Sequence, residues 1–92
     1  MWTIEKALDV VFKSKDESAE TVPHCGMVVG SKVVKSPRAN LRCDGVVRKA
    51  LDEGDTVLVV VEPFKNTDGN VSMLVYANGD YRLISALNVQ AA

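Results

Sequence analysis

Few residues in this chain carry nucleophilic or metal-binding chemistry: His24, Cys25 and Cys43. His24 and Cys25 are adjacent, and consecutive residues of an extended segment point to opposite sides, so the imidazole is poorly placed to activate the thiol. Cys25 and Cys43 stand eighteen positions apart, whereas zinc ligands come in pairs a few residues apart. Two partly buried thiols are the plainer reading, a disulfide between neighbouring strands the alternative, and His24 reads as structural or solvated. Asp52, Glu53 and Asp55 crowd one polar turn rather than facing each other across a site as acid and base. They could complement a basic surface on a second copy and support a homodimer. With one histidine and no glycine-rich phosphate loop, no catalytic set can be assembled. The expectation is a chain with no enzymatic activity, no cofactor and no metal.

Binding chemistry is better represented. Lys32, Lys35, Arg38, Arg42, Arg48 and Lys49 fall within eighteen residues, with Asp44 opposing them. Gathered on one face they would form a positive patch suited to phosphates or to an acidic protein surface. The plainer reading is a set of solvated strand-edge charges that discourage edge-to-edge pairing. Nucleic-acid platforms interleave such charges with stacking aromatics, and residues 27–62 contain none. The remaining candidates for contact are Phe64, in a stretch read as the loop 63–69, and Tyr76 and Tyr81. The tyrosines flank Asn78-Gly79 and read first as a cross-strand pair, worth about 0.2–1 kcal/mol.

The elements that must position these groups follow from periodicity. Ile4, Ala7, Leu8, Val11 and Phe12 recur at three-and-four spacing after Thr3, with Glu5, Lys6, Asp9 and Lys13 opposite. This predicts an amphipathic helix over residues 1–15, capped by Thr3, whose stripe packs on the sheet with Trp2 starting the contact, the alternative being a partner-binding or dimerising face. Residues 16–25 mix both charges without period and include Pro23, a linker. From Gly26 the chain reads as extended, with Gly30 at a bulge or bend. Val46 to Leu51 fits a strand or a short helical turn. Thr56 to Val61, Asn70 to Tyr76 and Tyr81 to Ile84 read as a β-meander, its reversals at Asp68-Gly69 and Asn78-Gly79. Asn-Gly suits a type I′ turn, whose two central residues need positive φ.

Ninety-two residues bound this to one domain, 1–92, and a formal charge of −1 excludes both a uniformly basic nucleic-acid binder and an acidic nucleic-acid mimic. The opening residues lack the pattern of an export leader, and no apolar run approaches the roughly 20 residues of a membrane span. A soluble, cytoplasmic chain with no membrane partner is expected.

From Met27 to Val89 the order of signals resembles the bacterial Src-homology-three domain, a small five-stranded barrel. Asn40-Leu41-Arg42 stands at that family's Asn-apolar-Arg motif. Val47, Leu51, Gly54-Asp55, Val57 and Val59 follow its next strand, and Asn78-Gly79, Ile84, Ser85 and Leu87 its end. The resemblance covers about two thirds of the chain but lacks the family's Gly-Trp pair and the tryptophan after the central hairpin, so its ligand groove is not carried over. An unrelated helix-plus-barrel fold of the oligonucleotide-binding kind would reuse the same turns. The expected architecture is α+β and mainly β: an N-terminal helix, then a five-stranded, mostly antiparallel small barrel over 26–92. The expected function is a non-enzymatic module acting by contact with a protein partner, such as the accessory or inhibitory factors of phages and mobile elements, the latter association resting on size alone. The alternative is a small nucleic-acid-binding barrel using the patch from Lys32 to Lys49.

Overall fold

A computed structural model describes residues 2–18, 22, 26–37 and 45–92. Helix α1 spans Ile4–Ser14 and begins where Thr3, in extended conformation, accepts a hydrogen bond from the Lys6 N–H at 3.2 Å. Such a cap is worth about 1 kcal/mol. The short strand β1, Val33–Lys35, precedes helix α2, Gly45–Asp52. Then come β2 (Val57–Lys65), β3 (Val71–Ala77) and β4 (Asp80–Ser85), a 3₁₀ turn at Ala86–Asn88, and β5 (Val89–Ala91).

The fold is α+β with antiparallel sheets. β2, β3 and β4 form one sheet in that order, and β1 pairs with β5 in a second. The two do not close into a barrel; among the described residues the Lys32–Leu58 bridge joins them along the outer side of β2. There the Gly30 N–H donates to the Val59 carbonyl at 2.9 Å and the Val59 N–H to the Ser31 carbonyl at 3.0 Å. Asn78 (φ 51°) and Gly79 (φ 80°) make the β3–β4 reversal, the positive pair that a two-residue hairpin turn requires.

Of two stretches, the structure decides one between its two readings and revises the other. Val46 to Leu51 is helical: Val47 and Ala50 point into the core, fully buried at a spacing of three, which no strand could bring to one side. Pro63 and Phe64 belong to β2 rather than to a loop, leaving only Asn66 to Asn70 between β2 and β3. The nine residues of β2 face seven of β3, and the excess is taken up by register shifts between Val59 and Val61 and between Val61 and Phe64. Pro63 lies in the second irregular stretch, where a ladder N–H is dispensable.

The three-stranded sheet is apolar on both faces. One carries Val57, Val59, Met73, Val75, Ala77 and Ile84 against α2, β1 and β5. The other carries Phe64 and Leu74 against Ala7 and Val11 of α1, with Trp2, Val60, Val61, Tyr81 and Leu83 around them.

Candidate functional site

The described part of the basic stretch, Lys32, Lys35, Arg48 and Lys49, is not gathered on one face. Arg38 and Arg42, with His24, Cys25 and Cys43, lie outside the described residues. Lys35 and Arg48 converge on one carboxylate: the Lys35 Nζ is 3.5 Å from Asp52 Oδ1 and the Arg48 Nε 3.9 Å from Asp52 Oδ2. All three side chains are about half exposed, so these pairs add little to stability. Arg48 and Lys49 border a shallow depression on α2 together with Asp52 and Glu53, and the acidic residues there offset the charge. Lys32 pairs with Leu58. Cross-strand partners share a face, and Leu58 alternates with Val57 and Val59 of the α2-side core, so Lys32 belongs to the opposite face from Arg48 and Lys49.

The aromatic candidates separate as well. Phe64, read from sequence as a loop side chain open to contact, is only 5% exposed and packs under α1. Tyr76 and Tyr81 are directly opposed across β3 and β4, their ring centroids 5.0 Å apart and tilted by 59°, and Tyr76 keeps a partly open face.

What the structure brings together instead is apolar. Ala7 and Val11 are buried, while Ile4, Leu8 and Phe12 are 38%, 45% and 71% exposed. At 3.6 residues per turn these five positions cover an arc of about 140°, wider than the roughly 100° that one buried helix face uses. That excess width is the signal that divides the stripe between a sheet contact and an open face. Val28 and Val29, in the turn before Gly30, are also exposed.

The angle at which α1 lies is fixed at both ends. At its start the Trp2 N–H donates to Asp80 Oδ1 at 3.1 Å. At its end the Asp16 N–H donates to the Lys65 carbonyl at 2.8 Å and the Thr67 N–H to the Ser14 carbonyl at 3.0 Å. Asp80 is 6% exposed and also accepts from the Tyr81 N–H at 2.9 Å and the Arg82 guanidinium at 2.7 Å. Burial by itself raises the pKa of this carboxyl, but the Trp2 N–H, the Arg82 charge and the Tyr81 N–H together outweigh it and hold the group below the usual aspartate range.

Among the described residues no three His, Cys, Asp or Glu side chains are placed to hold a metal ion, and no helix is long and apolar enough to cross a membrane. The class defined to this point is a small α+β domain of antiparallel sheets with one helix on each face of its larger sheet. No family model matches the chain, and no curated protein or solved structure matches it either.

Proposed function

We propose that this chain is a non-enzymatic binding module that acts through protein–protein contact, in the manner of an accessory or inhibitory factor. The observation that carries this reading is the ridge of Ile4, Leu8 and Phe12, three large apolar side chains that stay 38%, 45% and 71% exposed on a helix whose Ala7 and Val11 are buried. Contiguous exposed apolar surface of this kind marks interaction sites, and depletion of charge at the centre of a patch is what distinguishes protein interfaces. A nucleic-acid surface would instead need convergent free cations. Among the described residues Lys35 and Arg48 share Asp52, and Lys32 stands on the other face.

We further propose that residues 26–92 form a variant of the Src-homology-three arrangement. Three features support this: β5, β1, β2, β3 and β4 follow one another in space once the Lys32–Leu58 bridge is counted, β2 to β4 form a meander, and a 3₁₀ turn precedes the last strand. Helix α2, inserted between β1 and β2, is the departure.

The test of function is a photo-crosslinking amino acid placed at position 8 of the full chain in the cells that encode it. Leu87, exposed and away from α1 in the sequence, serves as the control position. A defined protein adduct from position 8 and none from position 87 is expected. Adducts only to nucleic acid, or equal and heterogeneous adducts from both positions, would remove the reading.

A further inference from the structure

We infer that the trough between α1 and the outer half of β2 seats one amphipathic helix of a partner protein, completing the helical layer on this face of the sheet. The inference rests on the reading of the α1 ridge as a protein contact and says what that contact is.

The tethers at its two ends lay α1 diagonally, from the start of β4 at Asp80 to the end of β2 at Lys65. With the strands in the order β2, β3, β4, the chirality of the strands and the right hand of the helix turn positions 4, 8 and 12 toward β2, not out past β4. The exposures agree: they rise from 38% at Ile4, over the sheet, to 71% at Phe12, where the helix reaches the sheet's edge. Leu58, Val60 and Tyr76 form the floor. Each alternates along its strand with residues of the α2-side core and therefore looks toward α1. The far lip is the Val28–Val29 turn, held to β2 through Gly30 and Val59.

Width decides the occupant. Three strands and the strip at Gly30 to Lys32 together take up about 19 Å, four strand widths at sheet spacing, and the diagonal α1, about 10 Å across, leaves about half of that width uncovered. Room is left for one more rod and not for a globular face. A second copy of this chain fits badly. To lay its own equivalent surface into the trough, it would press the outer side of α1, with Lys6, Asp9 and Lys13, onto leucine and valine, and buried charge without partners is costly. The ridge, Tyr76 and the two valines expose on the order of 500 Å², near the upper end of the largest patch found on single proteins. A stable dimer needs about 800 Å² per partner. Charge sets the flanks: Glu5 borders the α1 side and Lys32 the far side. The matching helix carries Lys or Arg along one edge of its apolar stripe and Asp or Glu along the other.

The experiment is selection of the full chain against a displayed library of 18-residue helices with a fixed leucine stripe and random flanks. A second library with proline at the centre of each peptide runs beside it. Binders are expected from the helical library only, enriched in opposite charges on the two flanks, and weakened at least tenfold by L8E but not by L87E, an exposed change in the 3₁₀ turn beside the α2-side core. Circular dichroism confirms that both variants fold. Equal enrichment from the proline library, or binders indifferent to L8E, would overturn the inference while leaving a ridge contact of another kind standing. So would sedimentation showing a dimer that L8E dissolves. No binders at all would overturn it too, and the crosslink from position 8 would then judge the broader reading separately.

Discussion

The two faces of β3 are built from similar residues and end up differently. Met73, Val75 and Ala77 look toward α2, β1 and β5 and are fully buried. Leu74 and Tyr76 look toward α1; Leu74 is fully buried, yet Tyr76, two residues on, is 37% exposed. The first face is sealed by three elements and the second by one helix that reaches only part of it. An apolar strand face is therefore not a measure of core. What counts is whether the covering elements are wide enough, and on the α1 side they are not.

The largest expected effects test whether α1 closes its part of that face as firmly as α2 closes the other. Met73→Ala and Leu74→Ala each remove a fully buried side chain, and each should cost about 2–5 kcal/mol in urea-unfolding free energy. Near-equal costs are expected despite the difference in cover. A cost below about 1 kcal/mol for Leu74→Ala alone would mean that α1 is not docked on the sheet in solution, since such small values belong to surface changes.

Next in size is Asp80, which ties the start of α1 to β4. A carboxyl whose pKa is depressed in the folded state contributes stability that is present above its unfolded pKa, about 3.9. That contribution is lost as pH falls through the folded value. Wild type should therefore lose thermal stability between about pH 5 and the folded pKa. Asp80→Asn should be less stable at pH 7, where the Arg82 partner is left without its charge, and should show a flatter acid limb. Melting curves at pH 7, 5 and 3 decide; an unchanged acid limb in the variant would place the acid sensitivity elsewhere.

Much of this organisation was legible beforehand because it is local. The apolar period of residues 4–12, the Asn-Gly reversal and the β-branched run at Val57 to Val61 each state their element within a few residues. Where the reading fell short, the deciding contact was distant. Val46 to Leu51 suits either helix or strand by type, and only the core around Met73 and Val89 makes use of Val47 and Ala50 together. Pro63 reads as a chain breaker until the bulges of β2 show that its missing N–H costs nothing there. Which half of the α1 stripe faces the sheet is set by the Trp2–Asp80 bond, seventy-eight positions apart. For the described cations of the basic stretch, how Lys32, Lys35 and Arg48 sit depends on where Leu58 and Asp52 stand, which spacing along the chain does not fix.

A smaller effect separates turn geometry from packing. Gly79 has φ +80° and nothing within 4 Å of where a Cβ would stand, so Gly79→Ala meets no clash and pays only for the backbone. About 1–2 kcal/mol is expected by the same unfolding assay. A loss above 3 kcal/mol would mean that the hairpin also transmits strain to the Tyr76–Tyr81 pair and the Asp80 tether beside it.

The smallest effect is the most telling for the open face. Leu8→Ser and Phe12→Ser remove apolar bulk of the same kind as Leu74→Ala, but from the half of the helix that stays partly exposed, 45% at Leu8 and 71% at Phe12. Each should change unfolding free energy by no more than about 0.5 kcal/mol. The loss of exposed apolar area should also raise the protein concentration at which the chain begins to associate, measured by light scattering. Thr3→Ala, at the cap of the same helix, should cost about 1 kcal/mol and so shows that the assay registers α1. If Phe12→Ser instead costs as much as a core truncation, then α1 rolls in solution to bury its ridge, the trough closes, and this face of the sheet is as sealed as the other. A ridge that can be removed without loss is one the fold does not need.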